Sequence, residues 1–170
     1  MDVIEAIRER RSIRQYQAKA VPEEKLTQIL EAGRWAPSSG NRQPWKFIVI
    51  KDEEVKSKLA SIAPFGRFID KAPVGIAVVI DPQGSSHPVE DGAAATQNIL
   101  LAAHALDLGA CWIGSYGSDY EGRAKEILGI PRDRRILSLI SLGYAEESPE
   151  KGRVELSELV YYDHYGKVNG

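Results

Sequence analysis

The sequence predicts an α+β fold in which helices flank a small sheet. Segments with helical periodicity alternate loosely with short apolar runs that are typical of strands. No internal repeat, low-complexity tract or Gly/Ser linker interrupts the 170 residues. A chain of this length can build a sizeable core. We therefore expect residues 1–170 to form a single domain.

The individual elements follow from periodicity and from the residues that begin or end them. Helices are predicted over residues 2–9, from Pro22 onwards, and over 53–60, 88–108 and 121–128. Strands are predicted over residues 45–50, 74–80, 110–114 and 136–143. Gly109 is expected to end the longest helix, and Gly129 the last one. The segment 154–162 is apolar at intervals and is expected to pair with a sheet edge, either its own or a partner's.

The longest predicted helix is unusual in composition. Its middle, from Ala93 to Leu106, is mostly Ala, Leu and Ile, with Gln97, Asn98 and His104 interspersed. A helix that is apolar on nearly every side is expected to be buried on every side. One short chain does not readily supply that much cover, so a subunit interface is predicted. The alternative is a central core helix of a monomer.

Composition excludes several classes of function. Apolar residues make up 43% and charged residues 27% of the chain, which is ordinary for a globular protein. A net charge of -2 provides no basic field that would recruit nucleic acid. The single cysteine, Cys111, rules out an intrachain disulfide and a zinc site made of cysteines. An acidic, amphipathic start and the lack of a long apolar run predict a cytoplasmic protein without a membrane span.

Two clusters of cations are candidate phosphate-binding groups. Arg10, Arg11, Ser12 and Arg14 lie within five residues just after the first helix. The planar guanidinium group suits phosphate oxygens. Near the C-terminus, the Lys151-Gly152-Arg153 run could complete such a site. The alternatives are a solvated basic turn balanced by nearby glutamates and ordinary surface charge.

Two loops carry further polar or glycine-rich character. The first, APSSGNRQPW over residues 36–45, holds more hydroxyl and amide groups than a simple connection needs. The second, CWIGSYG over residues 111–117, ends a strand in glycine, which permits close approach to a flat ligand. A plain Pro/Gly turn is the alternative for the first loop.

The sequence lacks the usual signatures of side-chain or metal catalysis. There is no GxGxxG after a strand, no Walker A loop, no HExxH and no GxSxG. His87, His104 and His164 lie far apart and form no metal-binding spacing. With few acid–base candidates, we expect no catalytic side chain and an organic cofactor that carries the reaction.

Taken in order, these motifs resemble those of the nitroreductase family. RRSIR at residues 10–14 resembles the family's RRSxR, and APSSGNRQPW is similar to its PSSxNxQPW loop. GACWIG at residues 109–114 follows a Gln-Asn-bearing helix, as the family's corresponding segment does. Lys151 and Arg153 resemble the KxR pair before its C-terminal arm. The ordered set spans nearly the whole chain.

The resemblance implies a nitroreductase-like fold with an antiparallel-rich mixed sheet flanked by helices. It also implies an intertwined homodimer with FMN at the subunit interface and a C-terminal segment that reaches the other subunit. The residues that match the family's phosphate and ribityl site are Arg10, Arg11, Ser12, Arg14, Lys151 and Arg153. The residues implied to face the flavin from the other subunit are Pro37, Ser38, Ser39, Asn41 and Gln43. The backbone around Ile113 and Gly114 would lie near flavin N5.

The activity implied is that of an FMN-dependent NAD(P)H oxidoreductase. NADH or NADPH would be the reductant in a ping-pong hydride transfer through flavin N5 to a nitroaromatic, a quinone or a similar small oxidant. Alternatives are a flavoenzyme of the same fold with other chemistry (dehydrogenation, dehalogenation or flavin fragmentation) and a non-catalytic flavin-binding protein. The chain is short beside the family's larger members, which implies a more open pocket. Phe65, Phe68 and Tyr116 could line its substrate side or be ordinary aromatic residues.

Overall fold

The computed structural model describes residues 1–168. In chain order, its helices and strands are α1 (Val3–Glu9), α2 (Glu23–Arg34), β1 (Trp45–Ile50), α3 (Glu53–Ile62), β2 (Val74–Ile80), α4 (Pro88–Ala105), β3 (Gly109–Gly114), α5 (Glu121–Leu128) and β4 (Arg135–Gly143). Short 3-10 turns lie at Ser39–Asn41, Arg67–Lys71 and Leu156–Glu158. Among these residues, no helix has both the length and the apolar character needed to cross a bilayer.

The strands form one sheet in the order β1-β2-β4-β3, and each neighbouring pair is antiparallel. A parallel bridge between Ser12 and Ala110 adds one non-antiparallel contact at the β3 edge. The predicted α+β class with an antiparallel-rich sheet is therefore confirmed. β2 and β4 lie in the centre, which leaves β1 and β3 at the edges.

Helices cover both faces of this sheet because successive strand residues point to opposite sides. On one face, Ile29 of α2 and Ile99 of α4 pack with Ile76 and Val78. On the other face, residues of α3 and α5, including Leu59 and Ala124, pack with Ala77, Val79 and Leu139. The sheet and its helices therefore form the rigid frame that positions the candidate site.

The longest helix does not bury every side within one chain. Ala105 of α4 is exposed and Leu101 is half-buried, although Ala95, Ile99 and Ala103 are fully buried. The apolar face predicted for α1 is even more open, because Val3, Ile4 and Ile7 are 72%, 57% and 52% exposed. These two helices thus leave apolar surface without cover from this chain.

The prediction that Gly109 ends the longest helix is wrong. α4 ends at Ala105, and Asp107 supplies the left-handed residue with φ 61°. The Leu108 amide then donates to the Ala103 carbonyl at 2.9 Å. Gly109 instead begins β3, where an added Cβ would lie 2.7 Å from the Ile13 side chain. Glycine is needed there for close packing.

The predicted pairing of the segment 154–162 is not made within this chain. In the part of the chain that the structure describes, this segment contains only the turn Leu156–Glu158 and joins no strand. Its apolar side chains, among them Leu156 and Leu159, are exposed. Pairing with a partner's edge stays a prediction.

Candidate functional site

Two distant parts of the chain meet in a small cavity that carries several cations. The cavity has a volume of about 90 Å³ and is lined by Arg10, Arg11, Ser12, Arg14, Pro149, Lys151 and Arg153. We call it the cationic cavity. Every residue predicted for the phosphate end of the site lines it, and Pro149 is the addition that the motifs did not indicate.

The segment after α1 reaches this position because it is paired on both sides. The Ile13 amide donates to the Ala110 carbonyl of β3 at 3.1 Å. The Gln17 amide donates to the Tyr144 carbonyl, just after β4, at 2.9 Å. The buried Tyr16 hydroxyl donates to the Ile13 carbonyl at 2.5 Å and lies 2.6 Å from the Ser141 hydroxyl. These contacts fix residues 12–17 against the sheet edge.

The charges of the cationic cavity are not neutralised by carboxylates. Among residues 1–168, no ion pair involves any of its arginines or its lysine. Burial lowers the pKa of the Arg10 guanidinium, and the positive charges of Arg153 and Arg11 lower it further. Beneath the cavity, burial raises the pKa of the Cys111 thiol in spite of the nearby Arg14. The arrangement therefore suits a bound anion with several oxygens, such as a phosphate.

The loop of residues 36–45, which we call the polar loop, has a fixed conformation of its own. Gly40, Asn41 and Gln43 adopt φ values of 59°, 55° and 51°. The Gln43 amide donates to the Ser38 hydroxyl at 2.9 Å. The Ser39 amide donates at 2.9 Å to Asp91 of α4, which also accepts from the Ser85 hydroxyl. These bonds leave the side chains of Asn41 and Gln43 on the surface, where a ligand can reach them.

The structure does not bring the polar loop and the cationic cavity together within one chain. The loop is anchored at Asp91, near the beginning of α4. Arg10 and Arg11 line a second cavity with His104, near the end of α4. At about 1.5 Å per helical residue, these two ends are about 20 Å apart. Pro37, Ser38, Ser39, Asn41 and Gln43 therefore lie remote from the arginines of their own chain.

The open edge of β3 connects the cationic cavity to Gly114. Because the Ala110 carbonyl accepts from Ile13 on the side away from β4, the peptide groups of Trp112 and Gly114 face the same open edge. The Ile113 side chain is buried in the core instead. Gly114 is exposed, and a Cβ there would meet no atom within 4 Å. At about 3.3 Å per residue, Gly114 lies about 13 Å along the strand from Ala110.

The loop that follows Gly114 is held rigidly by a buried carboxylate. Glu121 accepts two bonds from Arg135, each 2.7 Å, and one from the Gly117 amide at 2.9 Å. Burial opposes ionisation of Glu121, but the bonds from Arg135 and from backbone amides outweigh it and lower its pKa. The Arg135 guanidinium in turn lies 4.4 Å from the centre of the Tyr116 ring. Tyr116 is thus fixed beside Gly114 and partly exposed.

Three residues important for this geometry escaped sequence reasoning. Glu147 accepts hydrogen bonds from the Arg14 and Gln15 amides, Tyr16 anchors Ile13, and Asp91 anchors the polar loop. Asp91 carried a usable signal, since it is an acidic residue at the start of an apolar helix, and the structure buries it. No local pattern marks Glu147 or Tyr16, because Glu147 bonds to Arg14 and Tyr16 to Ser141, both more than a hundred residues away.

Comparison with known proteins gives consistent matches. The sequence model of the nitroreductase family matches residues 7–65 and 63–144. A candidate NADH dehydrogenase/NAD(P)H nitroreductase of Archaeoglobus fulgidus is 40% identical over 154 residues, covering 88% of each chain. Lys151 and Arg153 lie beyond the residues matched by the family model.

Solved structures show the same similarity in three dimensions. An FMN-dependent nitroreductase from Clostridium difficile superimposes with a TM-score of 0.90 at 31% identity, covering 96% of this chain and 100% of that one. A candidate nitroreductase from Desulfovibrio desulfuricans, solved in complex with FMN, gives a TM-score of 0.85 at 35% identity, covering 97% of this chain and 98% of that one. The fold and the order of its elements are therefore shared with these proteins.

Proposed function

We propose that this chain, which belongs to the nitroreductase family and is an FMN-dependent NAD(P)H oxidoreductase, reduces a nitroaromatic compound, a quinone or a similar small oxidant in a ping-pong cycle. The observation that carries the proposal is the open edge of β3. The cationic cavity lies at one end of this edge, and the free Gly114 amide lies at the other, about 13 Å away along the strand. A phosphate joined to a flat ring by a flexible chain fits that arrangement.

The chain's own residues would hold the cofactor as follows. Arg10, Arg11, Ser12 and Arg14, together with Lys151 and Arg153, bind the phosphate and the adjoining ribityl chain. The Gly114 amide would be the hydrogen-bond donor for the N5 edge of the flavin, next to the backbone of Ile113. When bound, FMN supplies the group that accepts a hydride from NADH or NADPH and passes it to the oxidant. The Glu121–Arg135 ion pair keeps the Ser115–Tyr120 loop in place beside this edge.

We further propose that the working unit is a homodimer. The polar loop and the cationic cavity lie at opposite ends of α4, and a two-fold axis can place one chain's loop over its partner's cavity. Pro37, Ser38, Ser39, Asn41 and Gln43 then contact the cofactor bound by the other subunit. The exposed apolar face of α1 supplies surface that such an interface would cover.

No side chain is assigned as a catalytic acid or base. Around Gly114, Glu121 is committed to Arg135 and to backbone amides, and Tyr120 donates its hydroxyl proton to the Gly114 carbonyl at 2.5 Å. The protein therefore acts by binding, by orientation and by placing hydrogen-bond donors at the ring edge. The protons that the oxidant takes up would come from solvent.

The test is spectroscopic and uses the purified full chain. The absorption spectrum should show bound FMN, directly or after addition of FMN, and anaerobic NADH or NADPH should bleach it. A quinone or a nitroaromatic should then restore the colour, and steady-state rates should give parallel double-reciprocal lines. A chain that takes up no FMN contradicts the proposal. Bound FMN that neither nicotinamide bleaches indicates a flavin-binding protein, and bleached FMN that no quinone or nitroaromatic reoxidises indicates other chemistry.

A further inference from the structure

We infer that Glu147 is a positioning residue for the cofactor phosphate, because its carboxylate joins the two halves of the cationic cavity. The inference rests on the proposed FMN site and adds a residue that belongs to none of its motifs. One half of the cavity comes from residues 10–14 and the other from residues 149–153. Glu147 lies just before the second half and bonds to the first.

The backbone pairing on both sides of Tyr16 sets the register of this contact. The Gln17 amide donates to the Tyr144 carbonyl at 2.9 Å, and the Glu146 amide donates to the Gln15 carbonyl at 3.0 Å. Tyr16 and Ala145 form the antiparallel bridge between them. Continuing this register by one step places Glu147 opposite Arg14.

At the Arg14 position, the hydrogen bonds are accepted by the Glu147 side chain. One carboxylate oxygen of Glu147 accepts the Arg14 amide at 2.5 Å and the Gln15 amide at 3.1 Å. Such charge-assisted hydrogen bonds are about twice as strong as neutral ones. Glu147 therefore extends the pairing to within two residues of Pro149, where the second half of the cationic cavity begins.

This anchor opposes the repulsion inside the cavity. The side chains of Lys151 and Arg153 are exposed, and among residues 1–168 they form no ion pair that would hold them near Arg10. Without the Glu147 bonds, the two halves are expected to separate, and the phosphate would then meet fewer cations at once. We therefore assign to Glu147 the role of holding the cations of the cavity in place.

A purely electrostatic role predicts the opposite sign. A carboxylate beside a phosphate repels it, so removal of the charge alone would strengthen FMN binding. Glu147→Gln removes the charge but keeps an oxygen that can accept both amides. Glu147→Ala removes both. Glu146→Ala is the matched control, because it deletes an adjacent exposed carboxylate whose residue, among residues 1–168, pairs only through its backbone amide.

The experiment compares FMN with riboflavin, which lacks the phosphate. Affinities of the full chain and the three variants are measured from the change in flavin fluorescence during titration. Glu147→Ala is expected to weaken FMN binding about tenfold, and Glu147→Gln by no more than about threefold. The riboflavin affinity of every variant should stay within about twofold of that of the parent chain. The FMN affinity of Glu146→Ala should stay within the same range. The ratio of FMN to riboflavin affinity thus isolates the phosphate end.

Two results overturn the inference while leaving the proposed function intact. The first is tighter FMN binding in both Glu147 variants, which indicates charge repulsion alone. The second is an FMN affinity of Glu147→Ala that equals that of Glu146→Ala. If the parent chain itself binds no FMN, the proposed function fails instead, so the two failures are distinguishable.

Discussion

At the scale of single residues, the site depends on cations that form no ion pair with a carboxylate among residues 1–168. Arg14→Ala and Arg153→Ala are each expected to weaken FMN binding about tenfold or more, because a hydrogen bond to a charged group contributes roughly 1.5–3 kcal/mol. Fluorescence titration measures this. Arg34→Ala is the control, since Arg34 pairs with Glu31 on α2 and lies outside the cavity. Unchanged affinity in both test variants would show that the phosphate binds elsewhere.

Tyr16 gives a prediction about pH. Burial raises the pKa of its phenol above the ordinary value. Since the folded chain holds the proton more tightly, this residue's contribution to stability is complete below about pH 10, the unfolded value. It is lost as the pH rises through the folded pKa. We expect the free energy of unfolding to fall more steeply above about pH 10 in the parent chain than in Tyr16→Phe.

Denaturant unfolding at several pH values measures this difference. At neutral pH, Tyr16→Phe should cost about 1–2 kcal/mol, because the Ser141 hydroxyl and the Ile13 carbonyl lose a buried partner. Tyr165→Phe is the control, since Tyr165 is 95% exposed. Parallel pH profiles for the parent and Tyr16→Phe would contradict the account.

At the scale of elements, local patterns located most of the fold. The limits predicted for β1, β2 and α5 agree with the structure, because apolar runs bounded by turn residues define them. The end of α4 was placed three residues too late, since Asp107 takes a left-handed conformation that sequence patterns assign to glycine or asparagine. Pairing between residues 12–17 and 144–147 could not be predicted, because it depends on tertiary register rather than on local propensity.

The same dependence on distant contacts limited what could be predicted about the site. The structure places the arginines and the lysine of the sequence motifs around one cavity, and their role in binding phosphate stays a prediction. The motifs did not indicate which groups hold those cations in place. Glu147 and Tyr16 act through partners more than a hundred residues away, so nothing in their local sequence distinguishes them from other glutamates and tyrosines.

Gly109 provides a test at this scale. An added methyl group would lie 2.7 Å from the Ile13 side chain, so Gly109→Ala must push the segment after α1 away from β3. Overpacking of this kind costs about 1–3 kcal/mol of stability. Gly122→Ala is the control, because a Cβ there meets no atom within 4 Å. Denaturant unfolding should show a loss for Gly109→Ala alone, and an equal effect of both substitutions would refute the close-packing explanation.

At the scale of the whole molecule, the exposed apolar surfaces and the separated parts of the proposed site suggest a common explanation. The apolar faces of α1 and the C-terminal segment are exposed. The polar loop and the cationic cavity lie at different ends of α4. The proposed two-fold dimer would cover such surfaces and complete both sites at once. The composition of α4 predicted an interface, but the structure indicates that α1 contributes more of the uncovered apolar surface.

Disruption of α1 therefore tests assembly and cofactor binding together. Ile7→Glu places a charge on a face that the proposed interface buries, so the variant is expected to be monomeric at concentrations where the parent is dimeric. FMN affinity should fall as well, because the partner's polar loop no longer covers the ring. Light scattering after gel filtration and fluorescence titration measure the two effects. Ser57→Glu on exposed α3 surface is the control. A monomeric Ile7→Glu variant with parental FMN affinity would show that each chain forms its flavin site alone.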